Sequence, residues 1–132
     1  PHVDVFLPNE TEALHLTGAA TLTDALDQLV KLGNTVVIKM GHKGSMAKQG
    51  ETAITAAPFL NEQVVDAIGA GDSFNAGFIK QFIAGSDLTT CLTFGNLMGA
   101  INTTQPGGTA AFASVENVKH VALEQFGQSI EL

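Results

Sequence analysis

The apolar positions of this chain fall into short unbroken runs and helical stripes. Val3 to Leu7 reads as a short buried strand, ended by Pro8 and Asn9. Asn9 is a good helix N-cap, and Glu12 three residues later completes a capping-box pattern. That helix is expected to run to about Leu16 and to stop at Gly18. Thr23 is the expected cap of a second helix, in which Ala25, Leu26, Leu29, Val30 and Leu32 form an apolar stripe that Gly33-Asn34 closes. Val36-Val37-Ile38 shows no alternation, the mark of a strand covered on both faces. Strand, helix, strand in that order predicts parallel pairing with a right-handed crossover.

Two β-prone pieces follow, Ser45 to Lys48 and Thr52 to Ala56, with Gly50-Glu51 between them, and they predict a hairpin. Val64-Val65 is a short strand leading into a glycine-rich junction. A helix is expected from that junction to about Ala84, with Phe74, Phe78 and Phe82 at four-residue spacing. Gly85 ends it, and Ser86 or Asp87 caps the next helix, about Leu88 to Asn102. Gln105-Pro106-Gly107-Gly108-Thr109 reads as a loop, and a final helix spans roughly Val115 to Phe126. The pattern is that of an α/β protein.

Composition narrows the class. The chain has 132 residues, 45% hydrophobic and 14% charged, as in a folded globular protein with room for one compact domain. The net charge of −7 argues against a nucleic-acid surface, which needs a basic stripe, but not against a single nucleotide held by amides and a metal. Cys91 is the only cysteine, so no intrachain disulfide forms, and its apolar neighbours predict an inert buried thiol. No apolar run approaches the ~18 residues of a membrane span, and no signal peptide is expected. A cytoplasmic protein fits these features. The chain begins at Pro1 and moves straight into a strand, so a fragment or processed chain is expected.

Three stretches could carry chemistry. Gly69-Ala70-Gly71-Asp72 lies at a strand-to-helix junction. Small residues let backbone approach a ligand, and the first amides of a helix lack intrahelical partners. An anion is favoured there by about 0.3–1 kcal/mol. Asp72 beside such an anion hole can take a proton from a hydroxyl. The same residues also suit a plain glycine turn with Asp72 as a dipole-matching cap. Asn9 and Glu12, three apart, could hold water on a magnesium ion, or could simply form the capping box. Lys39-Met40-Gly41-His42-Lys43-Gly44 follows the buried strand, where an open parallel sheet binds ligands, or where a strand merely turns into a hairpin. A dinucleotide fingerprint fails because Phe74 stands where a third glycine is needed, and no window matches a P-loop. His2, His15, His42 and His120 show no metal-binding spacing.

Taken together and in this order, Pro8-Asn9-Glu10-Thr11-Glu12, Lys39 to Gly44 and Val65-Asp66-Ala67-Ile68-Gly69-Ala70-Gly71-Asp72-Ser73-Phe74-Asn75-Ala76-Gly77 resemble the PfkB/ribokinase family of carbohydrate kinases. The resemblance covers nearly all of the chain. It implies a three-layer ribokinase-like fold, a mostly parallel sheet flanked by helices, present as its C-terminal, nucleotide-binding and catalytic portion. It implies ATP-dependent phosphorylation of a sugar or sugar-acid hydroxyl. Asp72 resembles the family's catalytic base, and the amides of Gly69, Ala70, Gly71 and Asp72 its anion hole. Asn9 and Glu12 are similar to the residues that organise Mg2+ and its waters. Lys39, Gly41, Lys43 and Gly44 fall where family members contact ATP, and Asn96 and Gly108 would flank the adenine. Asp66, with backbone near Gly108, resembles a monovalent-cation site, for K+. Ala67-Ile68 depart from the hydroxyl-bearing residues common there.

Family members run to roughly twice this length or more, their N-terminal half carrying a lid and most sugar contacts. The resemblance therefore implies that this stretch alone binds nucleotide weakly and does not turn over sugar, and that a homodimer would form through the missing part. No nucleic-acid or membrane partner is implied. Two further readings stay open: a non-catalytic nucleotide-binding or regulatory module on the same fold, and a nucleotide-dependent oxidoreductase, which the absent third glycine disfavours.

Overall fold

The computed structural model describes residues 5–32, 34–59, 70–103 and 115–130. Their contacts divide the chain into two compact units, Pro1–Ala57 and Pro58–Leu132.

The first unit is built on a four-stranded sheet in the order β1-β2-β3-β4. Strand β1 (Val5–Phe6) leads into helix α1 (Glu10–Thr17), then α2 (Leu22–Val30), then β2 (Thr35–Lys39). The β1–β2 pairing is parallel, as the strand–helix–strand order requires. Strands β3 (Ser45–Gln49) and β4 (Thr52–Ala56) form the expected hairpin, and β3 pairs antiparallel with β2, Val37 opposite Ala47. Among the described residues the sheet is mixed: the hairpin adds two antiparallel pairings beside the one parallel pair. The expected strand at Val64-Val65 lies outside the described residues.

Local sequence explains the helix ends. Asn9 caps α1, and Gly18 closes it in the left-handed region at φ 67°. Thr21, not Thr23, caps α2, accepting a hydrogen bond from the Asp24 amide at 3.2 Å. Starting two residues early brings the Asp24 carboxylate into the first turn, at the positive end of the helix, and lets Leu22 join the core. Helix α2 ends at Val30 with Lys31 as its C-cap, ahead of Gly33-Asn34. Ala13, Ala25, Leu26, Leu29, Val36 and Ile38 pack into one cluster. Residues Thr35 to Ile38 are all buried, which accounts for the unbroken apolar run of β2.

The second unit holds α3 (Ala70–Ile83), α4 (Leu88–Asn102) and α5 (Val115–Phe126). The Phe74, Phe78 and Phe82 rings stack along α3, with centroids 6.3 Å and 5.8 Å apart. Between the two caps the sequence allowed, α4 uses Asp87, whose carboxylate accepts from the Thr90 amide at 2.7 Å; Ser86 instead donates to Gln81. Leu97, Met98, Ile101, Val118, Val121 and Ala122 form the core between α4 and α5. Burying the Leu, Met, Ile and Val side chains among them contributes about 1.5–3 kcal/mol each relative to exposure. The Cys91 side chain is fully buried on α4, as its surroundings predict. Among the described residues no helix is long and apolar enough to cross a membrane.

Candidate active site

In the first unit the C-terminal ends of the parallel strands β1 and β2 lie side by side. The Lys39 amide donates to the Pro8 carbonyl at 3.0 Å, and Asn9 and Lys39 form an isolated parallel bridge. The start of α1 and the segment following β2 thus share one rim of the sheet, where ligands of open α/β sheets bind.

Asn9 and Glu12 form the full capping box. The Glu12 amide donates to Asn9 Oδ1 at 2.7 Å, and the Asn9 amide donates to Glu12 Oε1 at 3.0 Å. Both residues are exposed. The box occupies one carboxylate oxygen of Glu12 and leaves that solvent-facing carboxylate as a hard oxygen donor. Such a pair fits Mg2+ held through its waters, since this ion keeps much of its hydration. Among the described residues no group of three or more His, Cys, Asp or Glu side chains gathers as a metal cage.

The segment after β2 is a tight turn. Residues Gly41–Lys43 make a single 3₁₀ turn, the Met40 amide donates to the Gly44 carbonyl at 2.9 Å, and the Gly44 amide donates to the Gly41 carbonyl at 3.1 Å. Gly41 (φ 58°) and Gly44 (φ 96°, ψ −139°) both occupy backbone regions that side chains disfavour. A Cβ at Gly41 would meet nothing within 4 Å, so the backbone there faces open space. Lys43 is exposed, and its Nζ lies 3.8 Å from Glu10, a loose surface pair of little energetic worth. Ser45, directly after the turn, buries its Oγ with no hydrogen-bond partner among the described residues.

In the second unit Ala70, Gly71 and Asp72 form the first turn of α3, and Asp72 is exposed there. The helix dipole favours negative charge at this end. The turn is seated on α4. A Cβ at Gly99 would stand 3.2 Å from the Ala70 carbonyl oxygen, and one at Gly95 would stand 2.9 Å from the Phe74 ring. The Ser73 hydroxyl donates to Asn102 Oδ1 at 3.1 Å. Asn96 lies on the same helix and is buried. Asp66, Gly69 and Gly108 lie outside the described residues, as does the loop expected at Gln105 to Thr109.

The geometry thus collects Asn9, Glu12, Lys39, Gly41, Lys43 and Gly44 on one rim of the first unit, and Ala70, Gly71 and Asp72 in one helical turn of the second. Sequence reasoning did not single out Ser73 or Asn102. The signal was the spacing of Gly95, Gly99 and Asn102, four and then three residues apart, which puts two bare backbone positions and one polar side chain on one helix face.

The fold is ribokinase-like. A ribokinase structure from Arabidopsis thaliana, solved with ribose and ATP, superposes with a TM-score of 0.78 at 32% identity, covering 87% of this chain and 39% of that one. An adenosine kinase structure from Sinorhizobium meliloti gives 0.80 at 29% identity, covering 91% and 36%. An uncharacterized sugar kinase of Archaeoglobus fulgidus is 34% identical over 97 residues, 73% of this chain and 38% of that protein. The model of the pfkB family of carbohydrate kinases matches residues 1–114, and the chain belongs to that family. It spans 38% of the length of the Archaeoglobus relative.

Proposed function

We propose that the protein carrying this chain transfers the terminal phosphoryl group of ATP to a sugar hydroxyl, with Asp72 as the general base. The observation that supports this most is Asp72 itself, an exposed carboxylate in the opening turn of α3, behind a Gly-Ala-Gly run, in a chain of this family.

In this reading the Asp72 carboxylate accepts the hydroxyl proton as the oxygen forms its bond to phosphorus and the bond to the departing ADP breaks. The amides of Gly69, Ala70, Gly71 and Asp72 face the negative charge on the transferring group, where preorganised donors are usually the largest catalytic contribution. Gly41 and Gly44 bring backbone against the nucleotide, and Lys39 and Lys43 add positive charge beside it. Asn96 and Gly108 flank the base. Asn9 and Glu12 would hold Mg2+ through its waters, and that ion would supply positive charge to the phosphates. Asp66 and Gly108 would supply oxygen ligands for K+, as the family resemblance implies. The rate then comes mainly from positioning and charge stabilisation. Residues 1–132 taken alone bind nucleotide weakly and do not turn over sugar, because they span only about a third of the relatives' length.

The test is a coupled-enzyme assay of the intact protein with ATP against ribose, fructose, 2-keto-3-deoxygluconate and a nucleoside. One of these is expected to be phosphorylated. Asp72→Asn is expected to lower turnover by about 10²–10⁴, the usual worth of a positioned base, with ATP affinity within a few-fold of the parent. A variant as fast as the parent would remove Asp72 from the mechanism. ATP binding without phosphorylation of any acceptor would favour a regulatory module.

A further inference from the structure

Asn102 is the last residue of α4, and only 1% of it is exposed. A buried amide side chain is costly unless it is hydrogen-bonded, and Asn is a poor helix former. Its placement therefore calls for a role that an apolar side chain would not fill. Its Oδ1 accepts the hydroxyl hydrogen bond of Ser73 at 3.1 Å, and Ser73 directly follows Asp72 in the first turn of α3.

The same face of α4 makes two other contacts with this end of α3. Gly99 lies against the Ala70 carbonyl and Gly95 against the Phe74 ring. These are contacts of shape. They set how closely the helices approach, but shape contacts made through glycine resist rotation of α3 about its own axis only weakly. A hydrogen bond is directional and weakens steeply as its angle departs from linear. Neighbouring helical residues are separated by about 100° around the axis, so holding Ser73 in azimuth holds Asp72 as well.

We infer that Asn102 is a positioning residue, which acts through the Ser73 hydroxyl to fix the direction in which Asp72 projects from α3. The inference rests on the reading of Asp72 as the base. Reactive groups must be held to within about 0.5 Å and 10–20°, and small displacements are expensive in rate. Neither Ser73 nor Asn102 needs to touch substrate for this.

The experiment measures kcat and the KM for ATP in the intact protein for Ser73→Ala, Ser73→Thr, Asn102→Ala and the Ser73→Ala/Asn102→Ala pair, with urea denaturation of each. Ser73→Ala changes a half-buried residue and keeps the protein foldable even where Asn102→Ala does not. It is expected to lower kcat about tenfold with the KM for ATP within about twofold, a split that points to the chemical step rather than to binding. Ser73→Thr, which keeps the hydroxyl, is expected to restore kcat to within about threefold, and the double variant to be no slower than the worse single one, as for two ends of one interaction. A Ser73→Ala enzyme with kcat within twofold of the parent would overturn the inference, and so would a Ser73→Thr enzyme as slow as Ser73→Ala. Asp72→Asn separates the two levels. Full turnover in that variant sinks the base assignment, whereas a dead Asp72→Asn beside a fully active Ser73→Ala sinks only the positioning role.

Discussion

Gly95 lies flat against the Phe74 ring: a Cβ at that position would stand 2.9 Å from Cε2 and 3.0 Å from two further ring atoms. Replacing Gly by Ala within a helix normally stabilises it by up to about 1 kcal/mol. Here the clash reverses the sign, because Phe74 is buried and stacked on Phe78 and has little room to yield. Gly95→Ala is expected to destabilise the protein by about 1–3 kcal/mol, the usual cost of overpacking. Urea denaturation followed by circular dichroism measures it. A variant equal to or more stable than the parent would show that α3 and α4 do not meet this closely.

Glu12 has one role in the local structure and a second in the proposed mechanism, and the two can be separated. Its Oε1 accepts from the Asn9 amide, which a glutamine carbonyl does equally well. Glu12→Gln is therefore expected to leave stability within about 0.5 kcal/mol, the range of a benign surface change. If Glu12 also holds hydrated Mg2+, the same variant raises the Mg2+ concentration needed for half-maximal rate several-fold. Titrating rate against Mg2+ checks this, and an unchanged midpoint would leave Glu12 with its capping role alone.

Asp87 and Cys91 give a prediction in pH. The Thr90 hydrogen bonds hold the Asp87 carboxyl below its ordinary value. A carboxyl whose folded value is depressed adds stability above its unfolded value, about 3.9, and loses it as pH falls through the folded one. Asp87→Ala is expected to be less stable than the parent at neutral pH, with the gap narrowing below about pH 4. Thermal denaturation at a series of pH values reads it. Burial first, then the Asp87 charge, pushes the Cys91 thiol up, so it should resist aromatic disulfide reagents until the protein unfolds.

Ser45 makes the opposite case to a capping serine. Its Oγ is buried with no partner among the described residues. An unmade hydrogen bond of this kind is a standing cost of about 1–3 kcal/mol. Ser45→Ala is accordingly expected to be neutral or stabilising, by up to about 1 kcal/mol after loss of the packed oxygen. A marked loss of stability on urea denaturation would mean that the hydroxyl has a partner.

Most elements were legible because their cause is local. Val36-Val37-Ile38 is an unbroken apolar run because all of it is buried, and the Asn9–Glu12 box spans a single helical turn. The cap of α2 lies two residues before the expected Thr23, because Thr21 and Thr23 offer the same hydroxyl. What separates them is the position of Leu22 and Asp24, which depends on the core. The sheet's mixed character followed from where the hairpin docks, a tertiary choice with little local signature. The tie between Ser73 and Asn102 joins residues 29 apart, and nothing in either neighbourhood announces the other. The same holds for Gly95 and Gly99, which read as interruptions of an apolar run until the helix they face is known.

The bond from the Lys39 amide to the Pro8 carbonyl has a practical consequence. It fastens the segment that leads into α1 to the one that leaves β2. A loop transplanted from a relative at either place would arrive with its anchor cut to the wrong height. Engineers who wish to retune this rim would do well to exchange both segments as one cassette.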